Sequence, residues 1–316
     1  MNEKMRSLLS EVTQENATDL HLTAGASPVY RVAGELCRAD MADLKPEDCK
    51  SMIFSLLTEN QRKLVESRHE LNCSVHIEGV ARFRLSVFYQ KDCVAAALRL
   101  LPEEIPGFQE LGLPVDTLQE LAERDSGLIV VTGPTGSGKS TTHAAMVDYI
   151  NRTMNKHVLC LEDPVEYHHE HKKGLVNQRE MGRDASSFNT ALKQALRQDP
   201  DVIQIGEFAE PEALRSALDA VEKGHLVLST LHTRSAKKAL QRIVKTLQPL
   251  EQQVHRRLAS VLRAVIAQQL VPRKNGEGLV LACEVLVGVP SIQNLLRQGD
   301  MGQIYFHLKE SKRPGM

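Results

Sequence analysis

The sequence has almost no electrostatic bias: 39 Lys and Arg stand against 40 Asp and Glu, a formal net charge of -1. A chain so balanced has no global attraction for nucleic acid or an anionic membrane, so either partner must be met by a local patch. Cysteine pairing signals are missing too. Cys37, Cys49, Cys73, Cys93, Cys160 and Cys283 form no CxxC pair and no tight cluster, which argues against a zinc site or disulfide framework and predicts reduced, buried thiols. No stretch approaches the ~18 consecutive apolar residues of a membrane span. The N-terminal MNEKMRSLLSEVTQENATDL mixes charge throughout, unlike a signal peptide. A cytoplasmic location is the expectation. Repeats of solenoid period and low-complexity segments are also absent.

What is present is an ordinary globular composition, 42% hydrophobic and 25% charged over 316 residues. That length predicts two unequal domains. The first ~100 residues alternate short strand-like runs, Val75 to Val80 and Arg82 to Phe88, with helical stretches such as Pro46 to Glu66. This reads as a small α+β module. Pro102, Pro106, Gly107, Gly112 and Pro114 then crowd into a breaker-rich connection, placing domains at 1–113 and 114–316. Beyond it, apolar runs alternate with amphipathic helices: Leu128 to Val131, Val158 to Leu161, Val202 to Ile205, Leu226 to Leu228 and Leu279 to Val287. Continuous apolar strands between helices predict an α/β domain, a mostly parallel sheet covered on both faces. Gln204 is a polar intrusion in one of these runs that the pattern does not explain.

The most specific motif is GPTGSGKS, comprising Gly133, Pro134, Thr135, Gly136, Ser137, Gly138, Lys139 and Ser140. It satisfies G-x-x-x-x-G-K-[ST], follows an apolar strand and opens a helix, Thr141 to Asn151. Glycines let backbone N–H groups approach phosphate oxygens, and the helix N-terminus adds the positive end of its dipole. Lys139 is expected on the β- and γ-phosphates of ATP and Ser140 on Mg²⁺, with Thr141 at the same helix start. A chance Gly-rich turn is the plainer alternative, which the strand and helix context disfavours.

A second apolar run ends in Glu162-Asp163-Pro164-Val165-Glu166. Carboxylates at the C-terminal edge of a parallel sheet face the ligand crevice, where Glu162 can hold Mg²⁺ through water and another can orient attacking water. Asp163 before Pro164 also reads as a helix N-cap, and the two readings can coexist. Glu207 follows Asp201-Val-Ile-Gln-Ile-Gly206, with Gly206 where an ordinary Walker B run carries aspartate. Glu207 is thus the leading general base, delivered to the same sheet edge as Lys139. His225 and His232 bracket the next apolar strand and read as candidates for sensing the γ-phosphate. His168, His169 and His171 suggest metal, but adjacent histidines in a polar loop are more often solvated.

Taken in order, these residues resemble one family, the PilT-like secretion ATPases that retract type IV pili. GPTGSGKSTT at Gly133 to Thr142, LEDPVEY at Leu161 to Tyr167, DPDVIQIGE at Asp199 to Glu207 and GHLVLSTLHT at Gly224 to Thr233 carry the match. DLHLTAG (Asp19 to Gly25), RFRLSVF (Arg82 to Phe88) and LVNQRE (Leu175 to Glu180) are similar as well. The resemblance implies a PAS-like N-terminal domain, a RecA-like ATPase domain, and a homohexamer that hydrolyses ATP. It also implies Glu207 as catalytic carboxylate, Glu166 as the important member of the acidic box, and His225 and His232 as the histidine box. Arg82, Arg84 and Arg99 would act as arginine fingers. The implied setting is the cytoplasmic face of the inner membrane, with a pilus platform protein and a paralogous pilus ATPase as partners.

Three departures bear on that expectation. Phe208-Ala209-Glu210-Pro211 follows Glu207 where the family continues Met-Arg-Asp, which predicts slower hydrolysis or a charge supplied elsewhere. Gln293 replaces the first arginine of the retraction-linked segment, and the chain stops at Met316, short of the family's usual C-terminal helices. Between Arg234 and Lys274 ten Lys or Arg stand against one acid, Glu251. Without interleaved aromatics that stretch reads as a solvated or subunit-facing surface rather than a nucleic-acid site. The rival readings are a weakly hydrolysing accessory subunit, a small-molecule P-loop kinase and a DNA translocase.

Overall fold

The computed structural model describes residues 1–208, 211–247, 251–274 and 278–310. Ala209 and Glu210, two of the departures beside Glu207, lie outside the described residues. Contacts divide the chain into two units, Met1–Glu104 with Asp163–His168, and Ile105–Glu162 with His169–Met316.

The first unit opens with α1 (Glu3–Gln14), whose N-cap Asn2 accepts from the backbone N–H of Lys4 and Met5. Strands β1 (Ala17–Leu22), β2 (Val29–Val32) and β3 (Glu35–Arg38) follow, then helices α2 (Pro46–Phe54) and α3 (Glu59–Arg68). The single helix expected over 46–66 breaks in two. Thr58 and Gln61 form a capping box that starts α3 afresh, satisfying donors that a continuous helix would have used internally. Strands β4 (Glu70–Ile77), β5 (Ala81–Gln90) and β6 (Cys93–Leu101) complete an antiparallel sheet ordered β3-β2-β1-β6-β5-β4. On β5, Ala81, Phe83, Leu85 and Val87 face a core built with Met5, Leu8, Leu9 and Val12 of α1. The two-residue period of a strand therefore turns Arg82 and Arg84 to the other face.

The second unit begins with α4 (Val115–Ala122) and β7 (Gly127–Thr132), then α5 (Lys139–Thr153), β8 (His157–Glu162), β9 (Leu175–Glu180) and α6 (Phe188–Ala195). It continues through β10 (Val202–Ile205), α7 (Pro211–Glu222), β11 (Leu226–Leu231), α8 (Ala236–Thr246), α9 (Glu251–Val261), β12 (Leu262–Pro272), β13 (Leu279–Val287), α10 (Pro290–Gln298) and α11 (Met301–Glu310). The sheet order is β13-β12-β7-β11-β10-β8-β9. All neighbours pair in parallel except β12 and β13. Leu128, Val130, Ile203 and Val227 pack on one face of the sheet, and Ile129, Val131, Val202 and Leu228 on the other with Met146 and Ile150 of α5. Burial on both faces explains the continuous apolar runs.

Two features depart from the sequence pattern. The run Leu279 to Val287 is antiparallel, because the short connection from Pro272 cannot make the crossover that a parallel neighbour needs. The breaker-rich connection is not a free linker along its whole length. Phe108 and Leu113 bury in the core under α5, and the contact division falls at Glu104 and Ile105, where the sequence reading placed it at 113.

Candidate functional site

Strand β7 is buried throughout and delivers the chain to Gly133 at the C-terminal edge of the parallel strands. A Cβ on Gly133 would lie 2.3 Å from Ser137 Oγ and 2.4 Å from the Gln268 carbonyl oxygen, so only glycine fits there. Gly138, at φ 86°, is the N-cap of α5 and offers no side-chain cap to the first helical turn. Those N–H groups and the dipole end are what a phosphate uses. Pro134, Thr135, Gly136 and Ser140 are exposed, Thr141 is half-buried and Ser137 is buried.

Lys139 is buried, and its Nζ donates to the carbonyls of Gly133 at 3.1 Å and Pro134 at 2.9 Å. It also stands 3.5 Å from His232 Nδ1, and His232 Nε2 is 3.3 Å from Glu207 Oε2. A lysine ammonium can only donate, so His232 accepts at Nδ1 and presents Nε2–H to Glu207. Lysine, histidine and glutamate thus form one line along the strand ends. The sequence does not announce what holds this line in place. Thr132 Oγ1 accepts from the Thr233 N–H at 2.9 Å, tying the end of β7 to the residue after His232. Phe208, a departure from the family pattern, is buried and donates its N–H to the Thr230 carbonyl at 3.2 Å, fixing the chain just past Glu207.

Glu162 ends β8 at the same edge, and its Oε1 accepts from Gln178 Nε2 at 3.0 Å. Gln178 lies within the LVNQRE segment, which is strand β9. The acidic box is split: Asp163–His168 belongs to the first unit. No helix follows Pro164, so the expected capping role of Asp163 does not arise. Within the first unit Arg84 Nη1 pairs with Glu166 Oε1 at 3.4 Å, and Arg82 Nη2 donates to the Val165 carbonyl at 3.2 Å. Arg99 stands between Arg84 on β5 and Asp19 on β1, and its Nε pairs with Asp19 Oδ1 at 2.8 Å. Burial pushes the Asp19 carboxyl up, but hydrogen bonds from Thr18 and Arg99 outweigh it and hold its pKa below the usual value. Facing arginines repel, and each has its own carboxylate here.

His225 requires a correction. It precedes the first residue of β11, a six-residue strand, so it lies ~20 Å of strand from His232. Its Nδ1 is 2.8 Å from the Ala220 carbonyl at the end of α7. The sequence pairs two histidines around one strand, but a strand has two ends, and only His232 reaches the phosphate loop. The histidine cluster also divides: His168 and His171 are exposed, whereas His169 is buried. Among the described residues no group of three His, Cys, Asp or Glu could hold a metal ion, and no helix is long and apolar enough to cross a membrane. The basic stretch disperses. Arg257 pairs with Asp219 and Glu222 at 2.6 Å each, and Arg263 reaches the Ser126 carbonyl.

A glycine loop between a buried parallel strand and a helix, with carboxylates along the same sheet edge, defines a P-loop α/β protein. Residues 1–298 match the family described as Type II/IV secretion system protein, and the chain belongs to that family. It is 42% identical over 311 residues to the type IV pilus retraction ATPase PilT of Pseudomonas aeruginosa, covering 98% of this chain and 90% of that one. The type IV pilus ATPase PilU of the same organism is 39% identical, with 98% and 81% covered. A crystal structure of the pilus retraction motor PilT with bound ADP aligns at a TM-score of 0.90 and 46% identity, covering 96% of this chain and 88% of that chain.

Proposed function

We propose that this chain is a motor ATPase that hydrolyses ATP to drive retraction and disassembly of a type IV pilus. The observation that carries the reading is the line from Lys139 through His232 to Glu207 beside the uncapped N-terminus of α5. Relatives named as pilus ATPases that match over nearly the whole of this chain supply the physiological half.

The loop fits a magnesium nucleotide. A Cβ on Gly136 or Gly138 would meet no atom within 4 Å, so the loop's inner wall is open to phosphate, and the exposed Ser140 hydroxyl stands at the first helical turn. Ser140, with Glu162 through water, would hold Mg²⁺, which neutralises charge developing on the phosphoryl oxygens. Lys139 exchanges its two carbonyl acceptors for the β- and γ-phosphates. Glu207 orients a water against the γ-phosphorus and takes up its proton as the bond to the β,γ-bridging oxygen breaks. His232, donating to one Glu207 oxygen, leaves the other for that water, and its Nδ1 registers whether Lys139 has left for phosphate. Glu166 and the arginines Arg82, Arg84 and Arg99 act on nucleotide by exchanging their present partners for phosphate or for one another. The working assembly is a homohexamer bound to an inner-membrane platform protein and to a paralogous ATPase.

Mg²⁺-dependent ATPase rates and assembly state of the wild type and Glu207→Gln test this reading. A loss of roughly 10²–10³-fold is expected on removing the base, and equal rates would show that Glu207 has no such role. Restoring twitching to a bacterium that lacks its own retraction ATPase tests the pilus assignment separately.

A further inference from the structure

Two buried glutamines, Gln268 of β12 and Gln204 of the otherwise apolar β10, reach the same helix. Gln268 of β12 donates from Nε2 to Thr142 Oγ1 at 2.7 Å, and Gln204 of β10 brings its Nε2 to 3.4 Å from His143 Nδ1. Thr142 and His143 are neighbours on α5, while β12 and β10 flank β7 and β11 in the sheet. The helix is therefore gripped from both sides just after the phosphate loop. All four side chains are buried, with 6% or less of each exposed.

Stability alone does not account for the Gln204–His143 contact. Gln204 Oε1 has no hydrogen-bond partner among the described residues, and well-packed apolar side chains in place of the pair would be neutral or better. Burial, which outweighs the Ser229 backbone beside the ring, lowers the His143 pKa to about 4, so the ring is neutral and accepts at Nδ1. Its placement is what distinguishes it. Among the strands, helix α5 packs most on β7 and β11, so β10 lies to the side of its footprint on the sheet, and this contact ties the two laterally. His143 stands three residues after Ser140, and Gln204 three residues before Glu207.

We propose that His143 and Gln204 are positioning residues for hydrolysis, their buried contact setting the strand that ends in Glu207 against the helix that carries Lys139 and Ser140. The inference rests on Glu207 being the carboxylate that activates water. It explains why one apolar strand tolerates a glutamine and why a neutral histidine is kept beneath a phosphate loop.

The test uses the full chain and compares kcat, KM for ATP and Tm for wild type, His143→Leu, Gln204→Leu, the double variant and Glu207→Gln. Each single variant leaves a polar partner buried and unpaired, so Tm falls, while kcat drops about tenfold through misplacement of Glu207 and KM stays within about twofold. The double variant regains Tm but not kcat. A double variant that regains both, or that loses kcat, KM and Tm together, marks a merely structural pair and overturns the inference, as do single variants with unchanged kcat. Full activity in Glu207→Gln removes the underlying reading and the inference with it. An inactive Glu207→Gln beside a double variant of normal kcat removes the positioning role alone.

Discussion

The two units hold their candidate residues in different ways. In the first, Arg82, Arg84 and Arg99 stand on one face of an antiparallel sheet, because a strand buries every second residue and turns the others outward. In the second, both sheet faces are buried, and Gly133, Glu162, Glu207 and His232 come together where parallel strands end. A face tolerates substitution one residue at a time, whereas an edge depends on the backbone positions of several strands at once. The first unit should therefore lose function with little loss of stability, and the second should resist even small changes of backbone.

That contrast can be broken first at the edge. Gly133→Ala places a methyl group against Ser137 Oγ and a backbone carbonyl. Nucleotide affinity measured by fluorescence titration should fall about 100-fold, because the loop must move off its phosphate geometry. Near-normal affinity would show that the edge is softer than described.

The core beneath the arginine face is the next comparison. Phe83 is fully buried, so Phe83→Ala should cost about 3–5 kcal/mol, read as earlier loss of the first unit's structure in denaturant. Third is acid sensitivity. His143 has a folded pKa of about 4 against an ordinary 6.5, so the unfolded chain binds the proton more readily. Stability is full above about pH 6.5 and declines as pH falls toward 4, by about 3 kcal/mol in total. Urea midpoints at pH 7 and 5 should converge in His143→Leu relative to the wild type, and an unchanged pH slope would contradict the burial of a neutral ring.

The smallest effect on stability belongs to Arg84→Ala. Its ion pair with Glu166 is part-exposed at both ends, so the loss should be under about 1 kcal/mol. ATPase activity should nevertheless fall about tenfold if Arg84 meets phosphate. A variant with intact turnover would confine Arg84 to its pair with Glu166.

Much of the second unit was legible because its signals are local. The phosphate loop needs glycines at fixed spacing between a strand and a helix, and five apolar runs mark five strands. Strand β12 escaped notice because Arg263 and Arg273 frame its apolar centre and drew it into a basic stretch. His225 was misplaced for a different reason: proximity in sequence along a strand is distance in space. Gln204 was visible as an anomaly, yet its partner stands 61 positions away on a helix, and no spacing rule links the two.

The sequence by itself determined the P-loop and the alternation of buried strands with helices, since each depends on neighbours a few residues away. Only the tertiary structure decided which strand ends share an edge, that β13 runs against β12, that the acidic box divides after Glu162, and that Gln204 meets His143. Those outcomes depend on strand order and register across the sheet, which are set by packing between residues far apart in the chain.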